Sequence, residues 1–448
     1  MRDIAVTLAV FGILPFILKW PYIGILAWSW LGYMNPHRYC WGFAMTMPFA
    51  FMVALCTLAG MLMSKEPKRI PWTRETILLL VFILWMFITT VYSLYPWLAW
   101  EQWDKVWRIM LMTYVTTMLI NNKERIHLLM IVIALSLAFY GFKGGIFVLM
   151  TGGAHRVQGP DGSFIAGNNE LGLALIMTVP LLRYVQLQAT HYWIRQGLSG
   201  VIGLVMIAIV GTHSRGALVG LAAMSFFFLL KTRKKVGAIL VAIPLALVLL
   251  YVMPQEWFDR MHTIETYEED GSAQGRLYAW KNAITLANEH LLGGGFRAVT
   301  GYGGTDSHSN YFGVLGEQGW IGLVMFLLLH LFTWQSASWI IRHSRGHPDL
   351  IWARDLAAMI QVSLIGYMSA GAFLGLQWFD LFYHLIVIIV MTKLLVKEQV
   401  EPKPALQFTG KAAPGDELSP VAGIPPTPAL PHQGGESLPH HTTFPRKG

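Results

Sequence analysis

Residues 197–210 read GLSGVIGLVMIAIV, residues 211–216 read GTHSRG, and residues 217–231 read ALVGLAAMSFFFLLK. Two apolar runs, 197–213 and 215–231, thus meet at a tight polar turn. Each approaches the roughly 20 apolar residues that carry a helix across a hydrocarbon core. A backbone in lipid must satisfy its own N–H and C=O groups, which leaves helices or closed barrels. Continuous runs rich in Leu, Ile and Met are too long for barrel strands, so these are read as helices. The pattern repeats along the chain: of 448 residues, 54% are hydrophobic and only 13% charged, against about 25% charged in soluble domains. The expected fold is an all-α, polytopic transmembrane bundle of about 12 spans.

The net charge of +8 is a topology signal and points to no nucleic-acid partner, because its cations sit in short loops between apolar runs. Those loops hold Lys65/Lys68/Arg69/Arg74, Lys123/Arg125, Arg183/Arg195, Lys231/Arg233/Lys234/Lys235, Arg342/Arg345/Arg354 and Lys393/Lys397. Placing all six in the cytoplasm requires two spans between each pair. The expected spans are 75–94 and 105–121, 126–150 and 167–187, 197–213 and 215–231, 235–253 and 313–341, and 352–374 and 377–396. At the start, 4–18, 22–34 and 41–63 give one span too many for a cytoplasmic Arg2, so one of the first two is expected to be short, kinked or re-entrant at Lys19-Trp20-Pro21. The N-terminus lacks a small-residue cleavage site and reads as an uncleaved first span.

The opposite, periplasmic side then receives 95–104 (Trp97, Trp100, Trp103), 151–166, the turn Gly211–Gly216 and a long loop from about 254 to 312. The loop contains a helix-like stretch from Arg276 to His290, with Leu277, Trp280, Ile284 and Ala287 on one face. Residues 1–400 form the membrane domain; the Pro-rich, polar residues 401–448 read as a disordered cytoplasmic tail.

Chemistry-bearing residues concentrate on that periplasmic side. Arg215 stands at the boundary of an apolar helix, where a guanidinium is costly unless it snorkels or meets an anion. Its planar fork suits phosphate; bonding to backbone carbonyls or lipid phosphate is the plainer alternative. His308, in Thr305-Asp-Ser-His-Ser-Asn-Tyr311, is placed as a general base, with Asp306 or Glu317 as orienting groups; an exposed loop histidine is its alternative. Arg297, in Gly293-Gly-Gly-Phe-Arg297, and Arg156 add positive charge, and Lys143, Asn169 and Glu170 add polarity near membrane depth. Together they suggest a polar cavity. The glycine run lacks the Lys-Ser/Thr pair of a P-loop and implies either flexible turns or close backbone approach to a ligand. Cys40 and Cys56 form no metal or disulfide framework. Glu101 and Asp104 read as interfacial caps and Glu268-Glu-Asp270 as a solvated charge run, so neither a metal nor a cofactor is expected.

The Ser-Arg-Gly turn, a basic loop, Gly-Arg-x3-Trp (Gly275, Arg276, Trp280), a glycine-rich stretch and His-Ser-x-Tyr-x3-Leu-Gly-Glu-x-Gly (His308 to Gly319) follow in order. Over residues 160–400 this resembles the O-antigen ligase and polymerase superfamily of bacterial inner-membrane glycosyltransferases. Many members have Asn after the His, where this chain has Ser309. The His-Ser form resembles ligases of exopolysaccharide and protein-glycosylation systems as well. The resemblance implies a C-type glycosyltransferase (GT-C) fold, metal-independent activity, a donor glycan on undecaprenyl pyrophosphate and a lipid A-core acceptor. It implies that Arg215 binds pyrophosphate and that His308 is the essential loop histidine. Arg297, Arg156, Lys143, Arg276 and Asn169 are the further expected contacts to pyrophosphate or glycan. The reading is an O-antigen ligase. The same chemistry on a polysaccharide or a protein Ser/Thr is the alternative; a transporter, for which mid-membrane ionisable groups in two symmetric halves are wanting, and a non-catalytic scaffold stand further off.

Overall fold

The computed structural model describes residues 1–231, 255, 257, 258 and 271–401. The expected span at 235–253, most of 254–270 with the acidic run 268–270, and the tail from 402 onward lie outside the described residues. The chain builds α1 (Arg2–Lys19), α2 (Tyr22–Met34), α3 (Phe49–Met63), α4 (Arg74–Val91), α5 (Pro96–Leu119), α6 (Lys123–Thr151), α7 (Asn168–Gln188), α8 (Tyr192–Gly211) and α9 (Arg215–Lys231). After 270 come α10 (Gly271–Glu289), α11 (Ala298–Gly303), α12 (Asn310–His343), α13 (Ile351–Ala370) and α14 (Asp380–Val400). No strand occurs among the described residues. Five helices, α4, α6, α7, α8 and α12, are long and apolar enough to cross a membrane by length and composition. The others run beside them.

Local chemistry sets these boundaries. A Thr73–Thr76 capping box opens α4, and the Asn122 side chain accepts from Arg125 N–H at 2.9 Å to open α6. Pro96 occupies the first turn of α5, where its missing N–H costs nothing. The Trp-rich stretch 95–104, expected as a loop, is therefore the start of a helix, and the three-residue spacing of Trp97, Trp100 and Trp103 is helical. The bundle is arranged around α7, of which 83% of the apolar window is buried. Outer helices instead turn apolar side chains outward, Leu84, Leu135 and Val324 among them, as a protein dissolved in hydrocarbon does.

The helices alternate in direction, so their connections sort into two ends. At one end Arg125 donates to both Glu66 oxygens at 2.7 and 2.8 Å, which holds the Glu66 carboxyl below the ordinary carboxylate range. Lys393 reaches Ser336, whose hydroxyl donates to Glu75, and Gln186 binds the Arg195 carbonyl. The cationic loops within the described residues gather there. At the other end Arg38 donates to the Gly162 carbonyl at 3.3 Å. There too Val157 N–H donates to Gly211 O at 2.9 Å, and Leu94 N–H to Gly294 O at 3.0 Å. The N-terminus belongs to this second end. Asp3 accepts from the Gly42 and Ala44 amides at 2.9 and 3.2 Å, and Arg2 reaches the Tyr39 carbonyl. Arg2 therefore lies opposite the basic loops, which corrects its expected placement. Of the first two helices α2 is the short one, 13 residues against 18 in α1, and α1 carries Pro15 inside it.

The glycine run resolves the choice left open for it. Gly294 and Gly295 N–H groups donate to the Gly316 and Glu317 carbonyls at 2.9 Å. The receiving groove is a break in α12 at Gly319, with φ 68° and ψ −176°. The close approach is thus to the protein's own helix: a Cβ on Gly319 would lie 2.6 Å from the Leu291 carbonyl oxygen.

Two outcomes follow. With Cys40 and Cys56 replaced by Ser, an impermeant thiol reagent should label Trp41→Cys and Asp161→Cys from one membrane face and Lys68→Cys and Lys123→Cys from the other; labelling of position 41 together with 68 would refute the assignment of ends. Gly319→Ala should lower stability by at least about 1–2 kcal/mol from the positive φ alone, read as a fall in thermal midpoint of the purified protein.

Candidate active site

The turn between α8 and α9 is built to present Arg215. His213 takes φ 54°, and one of its ring nitrogens, Nε2, lies 3.0 Å from the Gly153 carbonyl. The Thr212 carbonyl accepts from the Asn168 side chain at 2.8 Å, and the Ser214 hydroxyl accepts from Ala217 N–H at 3.3 Å as a helix cap. Arg215 follows as the first, half-buried residue of α9. A helix N-terminus adds amide donors and the positive end of a dipole. Next to it Gly216 lies flat against the segment between α13 and α14, where a Cβ would be 2.9 Å from the Leu374 side chain.

His308 lies beside the same segment, its Cα 3.7 Å from where a Cβ on Gly375 would sit. It has φ 44°, a conformation costly without a glycine. Several bonds hold it. Trp280 of α10 donates its indole N–H to the Ser307 carbonyl at 2.9 Å and stacks on Phe312 at 4.7 Å. Asn310 N–H donates to Gly371 O at 2.7 Å, and its side-chain oxygen accepts from Leu376 N–H at 2.6 Å. Ser309, where the resembled family often has Asn, is fully buried; its hydroxyl donates to Gly371 O at 3.4 Å and lies 3.5 Å from Phe312 N, as the cap of α12. Gly216, the neighbour of Arg215, and His308, in the turn before α12, therefore pack on the same 371–377 segment. Nδ1 of His308 is buried without a hydrogen-bond partner among the described residues.

Of the expected orienting groups, Glu317 is engaged elsewhere and Asp306 keeps one oxygen beside the His308 turn. Glu317 accepts from the Arg297 backbone N–H at 2.8 Å and the Trp378 indole at 2.7 Å, so it anchors the glycine run and leaves His308 alone. Asp306 accepts from its neighbour's N–H, Ser307, at 2.7 Å. A third carboxylate, Glu170 in the first turn of α7, shares electrostatic surroundings with His308, Asp306 and Arg276.

The remaining cations divide. Arg276 joins the His308 group through Glu170. Arg297 turns its guanidinium to Glu101 at 3.5 Å, and Glu101 also pairs with Lys105 at 3.0 Å; Asp104 pairs with Arg108 at 2.6 Å. Lys143 and Arg156 share a separate cavity of about 220 Å³ with Tyr39, Tyr140 and Gln158, and neither Arg215 nor His308 lines it. Asn169 sits in the first turn of α7, but its neighbour Asn168 makes the contact to the Arg215 turn. Among the described residues no three His, Cys, Asp or Glu side chains group as metal ligands.

The face of α10 differs from expectation. Ala279, Ala283, Leu286 and Ala287 are buried, whereas Leu277 and Ile284 are 45% and 39% exposed. Alanines win because α12 comes so close: a Cβ on Gly316 would lie 3.1 Å from the Ala283 Cα. Sequence reading also passed over the part played by Asn168 and the whole 371–378 segment. The signal for the last was its Gly-Ala-Phe-Leu-Gly-Leu-Gln-Trp composition between two apolar runs.

Residues 200–327 match the family described as O-Antigen ligase, and residues 1–190 match a family of unknown function (DUF5935). No curated protein matches the chain. The Arg215 turn, α10, the glycine run and the His308 turn all fall inside the first match; Lys143, Arg156, Asn168 and Glu170 fall inside the second.

Trp280→Ala should free the turn that carries His308, so backbone amides 305–310 should exchange faster with deuterium while those of α7 do not. Trp280→Phe, which keeps the stack and loses the indole donor, should fall between; exchange unchanged in both variants would show that Trp280 does not hold the turn.

Proposed function

We propose that this member of the O-antigen ligase superfamily, placed there by residues 200–327, transfers a glycan from undecaprenyl pyrophosphate to a sugar hydroxyl of lipid A-core at the periplasmic face of the inner membrane. The chain is a multi-pass helical membrane protein, and its family acts on lipid-linked glycans; the donor, acceptor and mechanism are our reading. The observation that supports it most is that Gly216, next to Arg215 at the start of α9, and His308, in the turn before α12, both pack on the 373–375 stretch at one end of the bundle. The cationic loops gather at the other end, and the positive-inside bias makes that end cytoplasmic. The site end then faces the periplasm, in keeping with a GT-C-like design of loops over a helical membrane bundle.

The chemistry asks little beyond charge and a base. Pyrophosphate is a good leaving group, and negative charge grows on it as the anomeric C–O bond breaks. Arg215, at a helix N-terminus, supplies a fixed positive charge there without a metal. The acceptor oxygen attacks the anomeric carbon from the opposite face, its proton passes to the His308 imidazole, and undecaprenyl pyrophosphate departs with the bonding electrons. One displacement of this kind inverts the anomeric centre. Glu170 and Arg276 lie close enough to stabilise the imidazolium and to bind sugar or phosphate, respectively. Arg297, already paired with Glu101, serves the glycine run more than the donor.

The test is a reconstituted assay with polyprenyl-pyrophosphate glycan, offering lipid A-core, free polysaccharide or a protein in turn. Arg215→Ala and His308→Ala should each reduce transfer by about 10²–10⁴-fold, with membrane insertion and thermal midpoint retained. Normal transfer by either variant removes its assigned role, and exclusive use of polysaccharide or protein replaces lipid A-core as acceptor.

A further inference from the structure

The cavity beside α6 has a composition of its own. Lys143 and Arg156 line it with Tyr39, Tyr140 and Gln158, and no acidic residue does. Lys143 Nζ sits 4.9 Å from the centroid of the Tyr39 ring, a cation–π contact that fixes the ammonium over one wall. The Tyr39 ring in turn lies 6.2 Å from that of Tyr140, and the Tyr140 hydroxyl is spent on the Met34 carbonyl. The wall is therefore rigid, and the two cations are exposed toward its mouth. A buried-polar function is excluded by that exposure; an anion reached from outside is what the arrangement fits.

The position of the mouth decides which anion. Lys143 lies eight residues before the end of α6 at Thr151, about 12 Å down the helix axis. Its neighbours on α6, Phe142, Ile146, Phe147 and Met150, are 36–81% exposed, among the bundle's outward apolar surface. Arg156 is brought back to the same level, because the adjacent Val157 folds against α6, where a Cβ on Gly144 would lie 2.6 Å from its side chain, and its N–H is tied to Gly211 O at 2.9 Å. Two cations thus line one cavity below the end of α6 and beside outward apolar surface, where the phosphate of a lipid can enter with its acyl chains against the helix. A freely dissolved anion has no need of an apolar approach.

We propose that this cavity binds the phosphate of a membrane-lipid headgroup, held between Lys143 and Arg156 and distinct from any anion bound at Arg215. This goes beyond the transfer reaction and does not rest on it, because binding can be read without turnover.

The full chain in phosphatidylcholine nanodiscs, titrated with bisphosphorylated lipid A and with the same lipid dephosphorylated, tests it. The Lys143→Gln/Arg156→Gln double variant should bind the phosphorylated lipid at least about tenfold more weakly, as loss of charge-assisted hydrogen bonds predicts. Lys143→Arg should keep most of the affinity, Arg215→Ala should leave it unchanged, and the dephosphorylated lipid should not distinguish wild type from double variant. The proposal fails if the double variant binds phosphorylated lipid normally, or if Arg215→Ala weakens it equally, which would make the cavity part of one donor site. It also fails if inorganic phosphate at matched concentration displaces the lipid, which would make the site one for a dissolved anion.

Discussion

Everything at the site end depends on satisfying a stretch of non-helical backbone at the edge of a membrane bundle. Segment 371–379 leaves helical hydrogen bonding between α13 and α14, in surroundings where an unpaired amide or carbonyl is costly. Groups from α12 and from the two flanking helices meet that demand. Asn310 binds Gly371 and Leu376 with backbone and side chain, the Tyr367 hydroxyl donates to Leu376 O at 3.2 Å, and the Tyr383 hydroxyl to Gln377 O at 2.9 Å. The bonds that make the segment tolerable are the ones that fix the residues on either side of His308. Arg215 is brought in by sterics instead, through the bare face of Gly216.

The two family matches divide the labour in the same place. The chain from 200 to 327 contributes the guanidinium, the imidazole and the glycine run; the chain before 190 contributes Asn168, which steadies the arginine turn, and Glu170, which shares the electrostatic surroundings of His308. The helix they open, α7, is also the most enclosed of the membrane-crossing candidates. The first part is thus a structural partner in the site, and not merely a neighbour of it.

Much of this was legible in the residues. Helices declared themselves through apolar runs whose length hydrocarbon dictates, and the basic loops sorted into one end because their charge was spread so regularly. Arg215 and His308 were legible as polar groups stranded at the edges of such runs. What the sequence did not disclose were features set by close packing. The inner face of α10 follows from the 3.1 Å approach at Gly316, which no ranking of hydrophobicity contains. Glu317 and Asp306 are both near His308 in sequence, yet each is claimed by a backbone amide. Asn168 and Asn169 are alike until a helix turns one of them toward Thr212. The direction of α1 rested on two bonds from Asp3 to a loop some forty residues away.

Among the described residues, the non-glycine positions with positive φ are Asn35, His213, Arg297 and His308. All four belong to the end that holds the site, and each such position costs of order 1–3 kcal/mol. Among the described residues, left-handed backbone outside glycine is thus confined to one end of the bundle. The end that holds the candidate site is therefore the one whose geometry must be over-determined by its neighbours, as the bonds around Asn310 and Ser309 over-determine the His308 turn.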